Sequence, residues 1–286
     1  MVDLACSAGL VAILAILMVA YAVRVVSSGA ASFDRVERDK GSLLFGASAM
    51  QMGYWGLDPI GRFLAGAGVS ANFISTSSLV LGLGAAVALA FGHFGVAAAF
   101  AVVSALCDAL DGMVARQTKT ASDSGEVLDA TVDRYVEFTF LGGLAIHDHE
   151  NPLWLGMALA AILGSFMVSY ATAKGEAMGV APPRGAMRRP ERAAYLTMGA
   201  LLCPFSALWA AKGGPSWVSE APMMLATALV AVVGNVSAIR RLTSIARSLR
   251  GRTAGQITPL YPPAAPDHAE GPRADGPSEV RRAANG

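Results

Sequence analysis

Uncharged runs divide the chain into six or seven segments of about twenty residues, the length an α-helix needs to cross the apolar layer of a bilayer. The first runs from Leu4 to Val23 and ends at Arg24. No basic residue precedes it and no evident small-residue cleavage site follows, so it is predicted to be an uncleaved anchor helix rather than a signal peptide. From Ser27 to Arg62 the pattern is mixed. Asp34, Arg35, Glu37, Arg38, Asp39 and Lys40 lead into an uncharged stretch with Tyr54, Trp55 and Leu57, which suits a helix lying at the interface. Phe63 to Cys107 contains no Asp, Glu, Lys or Arg and is long enough for two spans meeting at Gly92-His93-Phe94-Gly95. Further spans are expected over Val127 to Ile146, Leu153 to Ala173, Ala193 to Ala211 and Ala221 to Ile239. The span from Val127 is anomalous, because Asp129, Asp133, Arg134 and Glu137 occupy its first half. Beyond Arg252 the chain turns to Pro, Gly, Ala and charge without periodicity, which predicts a disordered tail.

Composition agrees with a membrane protein: 54% of the 286 residues are hydrophobic and 15% charged, where a soluble domain carries about 25% charged residues. The net charge of +1 is uninformative as a sum. Its distribution is not. With the N-terminus outside, every Lys and Arg except Lys212 and Arg134 falls on one side, placing segments 24–70, 108–126 and 174–192 and the C-terminus in the cytoplasm. The predicted fold is an all-α polytopic membrane protein with a six-helix core plus one N-terminal transmembrane helix. Its parts are an anchor (1–26), a cytoplasmic linker and interfacial helix (27–70), a membrane domain (71–250) and a disordered cytoplasmic tail (251–286). Nothing suggests a nucleic-acid partner. Cys6, Cys107 and Cys203 are scattered among apolar runs and read as small packing residues, not as a disulfide framework or zinc site. His147-Asp148-His149-Glu150 falls in an outer loop and reads as a solvated turn.

The chemistry concentrates in Cys107 to Arg134, CDALDGMVARQTKTASDSGEVLDATVDR. Asp108 and Asp111 are three apart on one helix, and Gly112 and Ala115 continue their face; Gly125, Asp129 and Asp133 are four apart on the next. Four carboxylates converging at membrane depth repel one another unless positive charge compensates them. Hard oxygen ligands without Cys or His favour two Mg²⁺ or Mn²⁺ ions, which would bridge a pyrophosphate and activate an attacking hydroxyl. Two other readings use the same residues. One is a structural ion-pair network with Arg116, Lys119 and Arg134; the other is an ion-coupled transporter, for which neither an internal repeat nor matching broken helices is visible.

Asp108-x2-Asp111-Gly112-x2-Ala115-Arg116-x8-Gly125-x3-Asp129-x3-Asp133 resembles the signature of the CDP-alcohol phosphotransferases at every fixed position. The similarity runs from roughly Leu57 to Ile239. It implies transfer of a phosphatidyl or alcohol-phosphate group from a CDP-linked donor, usually CDP-diacylglycerol, to a small polar alcohol, with release of CMP, in a homodimer of the cell membrane whose active site faces the cytoplasm. By motif position, Asp108, Asp111, Asp129 and Asp133 would be the metal ligands and Asp133 also the general base. Asp108, Gly112, Ala115, Arg116 and Gly125 would line the CDP pocket. The family's Pro-Asn-x2-Thr element is matched by Asn72 and Ser75, with Ala71 in place of the proline, so Asn72 and Ser75 join that pocket. Ser70 or Asn72 would serve equally as a helix cap.

The basic segment from Lys174 to Arg192 has two readings. It is either a loop touching anionic headgroups or a source of arginines for an acceptor phosphate. Lys174-Gly175-Glu176-Ala177 and Arg189-Pro190-Glu191-Arg192 resemble phosphatidylinositol-phosphate synthases, which implies that Lys174, Arg189 and Arg192 bind the acceptor and points to inositol phosphate, with glycerol phosphate, inositol or a second lipid-like alcohol as the alternatives. Tyr170 and Ser169 are candidates for the same cavity.

Overall fold

The computed structural model describes residues 1–33, 46–180, 185 and 187–250. The predicted disordered tail and the charged part of the linker lie outside the described residues. The helices are α1 (Val2–Ser28), α2 (Ala47–Gly66), α3 (Ala71–Ala90), α4 (Phe94–Gln117), α5 (Asp123–His147), α6 (Pro152–Ala177), α7 (Arg189–Ala210) and α8 (Ala221–Leu249), with a 3₁₀ turn at Ser216–Ser219. The described residues contain no strand. The fold is therefore all-α, with α1 over the expected anchor, α2 in the segment expected at the interface, and α3 to α8 over the six expected core spans.

Six of these helices, α1, α3, α4, α6, α7 and α8, are long and apolar enough to cross a membrane. α5 is as long as they are, but its acidic first half lowers its hydropathy, which is the anomaly seen in the sequence. Local signals set the helix starts. Ser70 caps α3 by accepting from the Phe73 amide at 3.3 Å, Ser122 caps α5 through the Gly125 amide at 3.2 Å, and Asn151 caps α6 ahead of Pro152. Asp123 and Glu126 add negative charge to the first turn of α5, where the helix dipole favours it. At α7, Glu191 reaches back to accept from the Arg188 amide at 3.1 Å.

Small residues let the helices approach closely. Gly82 of α3 lies against Val136 of α5, Gly164 of α6 against Asn235 of α8, and Gly199 of α7 against Ala226 of α8. Asn235 clamps α6 to α8 by donating to the Ala160 carbonyl at 2.8 Å. The main core gathers Leu89, Leu141, Leu144, Leu196 and Val230 from four helices. A closer approach is Gly143 of α5 on the Ala86 carbonyl of α3, where a Cβ would overlap the backbone. Gly143→Ala is expected to cost about 1–3 kcal/mol through overpacking. Gly142→Ala, whose Cβ meets nothing within 4 Å, should leave the thermal midpoint essentially unchanged. Equal midpoints for the two variants in detergent would contradict this α3–α5 packing.

The anchor is tied to the core by polar contacts. Asp3 accepts from the Gly95 and Val96 amides at 2.9 and 3.2 Å, at the N-terminus of α4, and its second oxygen lies 3.0 Å from His93 Nδ1. At the other end of α1, Tyr21 and Arg24 pack on Trp55 of α2. α2 in turn packs Leu57 and Leu64 onto Leu110 and Met113 of α4.

The helix packing opens a gap at the aspartates. α3 packs extensively on both α4 and α5, and α7 packs on α4, whereas α4 and α5 scarcely touch. The two aspartate helices are thus splayed around a gap backed by α3 and flanked by the start of α7.

Candidate active site

α4 continues to Gln117 and α5 begins at Asp123, so all four motif aspartates are helical and the loop between them is short. Asp108, Asp129 and Asp133 each turn a carboxylate oxygen into the gap, all within 4.8 Å of one another. Asp111, one turn beyond Asp108, stands apart from this trio: it is buried and accepts from Ser75 Oγ of α3 at 2.5 Å. Asp133 Oδ1 is buried without a hydrogen bond. Its neighbour is Arg189 Nη2 of α7, in ion-pair contact without hydrogen-bond geometry. Arg189 Nη1 donates to both Asp108 oxygens, at 3.2 and 3.3 Å. One guanidinium against three carboxylates leaves a formal count of two negative charges, the charge of one divalent cation.

Three cavities of different chemistry meet at these aspartates. The first, about 510 Å³, is open and polar, and Asn72, Ser75, Gly112, Ala115, Arg116 and Gly125 all line it together with Asp111 and Asp129. Asp108, expected in the same pocket, does not line it. The second, about 590 Å³, is the arginine-rich, or basic, cavity: Arg134, Arg188, Arg189, Arg192 and Arg241 line it, together with Glu126, Asp129, Asp133, Glu137 and Glu176, so that its guanidinium donors and not a net positive charge set it apart. The third is narrow and apolar, running between α3, α4, α5 and α7 past Gly82, Ala85, Ala101, Phe140 and Leu196, with Asp108, Asp133 and Arg189 at its polar end.

The residues expected at an acceptor fare differently. Arg189 and Ser169 line the basic cavity; Lys174 and Tyr170 do not. Arg192 is fully buried, with Nε and Nη2 on the Glu137 carboxylate at 2.5 and 2.8 Å and Nη1 on the Met187 carbonyl at 2.7 Å. An acceptor phosphate would have to compete with that carboxylate for it. Arg241, on α8, was not anticipated. It is 6% exposed, donates from Nη1 to Thr172 Oγ1 at 2.8 Å, and leaves Nε without a hydrogen-bond partner. In the sequence Arg240-Arg241 reads as the ordinary basic end of a span, and only the packing of α8 on α6 brings it to the cavity. At the opposite end of the bundle, the expected outer turn is tied down. His147 Nε2 lies 3.5 Å from Glu220 Oε1, a partner remote in sequence.

The family model of the CDP-alcohol phosphatidyltransferases matches residues 68–234, more than half of the chain and the whole of this site except Arg241. The chain belongs to that family. A phosphatidylinositol phosphate synthase of Corynebacterium glutamicum is 31% identical over 170 residues, covering 55% of this chain and 78% of that protein. A bifunctional IPC transferase and DIPP synthase of Thermococcus kodakarensis is 43% identical over 70 residues, 24% of this chain. The chain spans only 16% of that relative's length. Among solved structures, the phosphatidylinositol phosphate synthase of Mycobacterium tuberculosis with CDP-DAG bound aligns with a TM-score of 0.56 at 26% identity, covering 65% of this chain and 92% of that one. The same protein in complex with manganese and citrate gives 0.59 at 25% identity, over 68% and 92%. These likenesses favour the enzyme over the transporter reading.

Proposed function

We propose that the protein transfers the phosphatidyl group of CDP-diacylglycerol to a phosphorylated alcohol, inositol phosphate by likeness to its relatives, and releases CMP. The observation that carries this reading is the meeting of the three cavities at the aspartates. A CDP-linked lipid needs a polar pocket for its nucleotide and an apolar one for its tails, and an anionic acceptor needs guanidinium donors, which the second cavity supplies. The same likeness implies a homodimer in the cell membrane with the site toward the cytoplasm.

The donor set supports a divalent cation: three carboxylates within reach of one another, no His or Cys in the cluster, and a buried Asp133 oxygen without a hydrogen bond. Asp108, Asp129 and Asp133 would hold one ion. Asp111, steadied by Ser75 and sharing the nucleotide cavity with Asp129, would serve a second. Cations bound there supply charge that stabilises the pyrophosphate and acidifies the attacking hydroxyl.

The chain's own residues do the rest. Asn72, Gly112, Ala115 and Gly125 shape the nucleotide cavity, and Arg116 at its rim suits a phosphate. Arg189 and Arg241 orient the acceptor phosphate from the basic cavity. Asp133, at the border of the basic and apolar cavities, takes the proton of the acceptor hydroxyl. The acceptor oxygen bonds to the β-phosphorus, the bond from that phosphorus to the bridging oxygen breaks, and CMP departs with the bridging oxygen.

The test is CMP release from purified protein given CDP-diacylglycerol and Mg²⁺ or Mn²⁺, with inositol phosphate, glycerol phosphate, inositol and serine as separate acceptors. The proposal expects release with a phosphorylated acceptor. Release with inositol or serine alone would refute the anionic-acceptor reading. Arg241→Gln is expected to raise the acceptor KM about tenfold or more, the worth of a hydrogen bond to a charged group, and to leave the donor KM unchanged. An unchanged acceptor KM would remove Arg241 from the site.

A further inference from the structure

We infer that Arg189 is an exchangeable counter-ion that couples the two ligands of the site: it neutralises Asp108 and Asp133 when no cation is held there, and passes to the acceptor phosphate when the cation binds. The inference rests on the reaction proposed above and on what Arg189 touches. Its guanidinium sits on two of the three clustered carboxylates, so it stands in for part of the positive charge a cation would bring. The same side chain lines the basic cavity with Arg188 and Arg241, so a phosphate there is within its surroundings without any helix movement.

Its neighbour shows the contrast. Arg192 is locked, fully buried with three donor atoms engaged by Glu137 and Met187, whereas the Arg189 side chain is 31% exposed and meets Asp133 without hydrogen-bond geometry. Arg189 is also the first residue of α7. A cation arriving at Asp108 and Asp133 meets a fixed positive charge in contact with both ligands and is opposed by it. An anion in the basic cavity relieves that opposition by drawing the guanidinium away. Each ligand therefore strengthens the other, and linkage requires the factor to be the same in both directions.

The test is a Mn²⁺ titration of the purified full-length protein in detergent, following free Mn²⁺ by electron paramagnetic resonance, with and without inorganic phosphate. Without phosphate, Arg189→Gln is expected to bind Mn²⁺ about tenfold more tightly than the wild type, equivalent to about 1.4 kcal/mol, whereas Arg189→Lys, which keeps the competing charge, stays close to the wild type. Phosphate should tighten Mn²⁺ binding in the wild type and have no effect in Arg189→Gln. Arg189→Gln binding no tighter than the wild type would overturn the inference, as would an equal phosphate effect in both, the mark of phosphate contacting the ion directly. If Arg189→Gln does not fold, the wild type still keeps the inference refutable: no effect of phosphate on Mn²⁺ binding overturns the coupling. None of these readings needs turnover. Wild-type protein that fails every acceptor in the CMP assay thus refutes the reaction, whereas unresponsive Mn²⁺ binding in protein that does release CMP refutes only the exchange.

Discussion

Replacing Asp133 by Asn is expected to lower acceptor-dependent CMP release by about a thousandfold or more, within the span general-base catalysis contributes and equivalent to about 4 kcal/mol of barrier. The substitution keeps the side chain's shape and removes its capacity to take a proton. It also weakens one of the three carboxylates that converge in the gap. Donor binding should survive, because Asp133 does not line the nucleotide cavity, which is built by Asp111, Asp129 and the small residues of α4 and α5. The check is turnover beside equilibrium binding of a CDP ligand, with a thermal melt to establish folding. A variant that loses donor binding together with turnover would mean that Asp133 holds the donor and is not the base.

Arg192→Met is expected to act on the fold more than on the chemistry. It leaves the Glu137 carboxylate, 11% exposed in the middle of α5, without its partner, and breaking a buried pair from one side costs about 3–5 kcal/mol. For a protein of this size that corresponds to a drop of about 10 °C in the thermal midpoint. Removing both charges with Arg192→Met and Glu137→Leu should recover much of the loss, since no charge is then left unpaired. The competing assignment, Arg192 as an acceptor ligand, makes the opposite forecast: an unchanged midpoint with an acceptor KM raised several-fold. Melting curves of the two variants beside acceptor titrations separate these outcomes.

The two arginines of Arg189-Pro190-Glu191-Arg192 show where sequence reasoning reaches and where it stops. Both are basic residues at the start of one span, and composition cannot distinguish the one that faces the aspartates from the one that holds Glu137. The difference arises from the rotation of α7 against α5, a tertiary contact with no local signal. The aspartates were legible because their intervals of three and four residues are the helical repeat itself, so spacing alone puts each pair on one face. The same rule did not reveal that Asp111 would turn to Ser75 while Asp108 joined Asp129 and Asp133. That depends on α3 packing behind the gap.

Asp3 and Arg241 were silent for a related reason. A lone acid near the start of an apolar run, and a basic pair at the end of another, have routine explanations as solvated or headgroup-facing charges. Only the packing of α1 on α4 makes Asp3 a helix cap, and only that of α8 on α6 makes Arg241 a wall of the basic cavity. The run from Val127 was the reverse case. Its charges argued against a spanning helix by hydropathy, yet their helical spacing identified the segment, and α5 forms over Asp123–His147.

The central claim, that the three cavities serve a nucleotide, lipid tails and a phosphorylated alcohol around one set of aspartates, is tested most directly by identifying the lipid product. Purified protein would be incubated with CDP-diacylglycerol, inositol phosphate and Mn²⁺, the lipids extracted and weighed by mass spectrometry, and CMP measured in the same sample. The account predicts phosphatidylinositol phosphate and CMP in equal amounts, and neither when inositol phosphate or Mn²⁺ is left out. Phosphatidic acid with CMP, or an unconsumed donor under every condition, would contradict it.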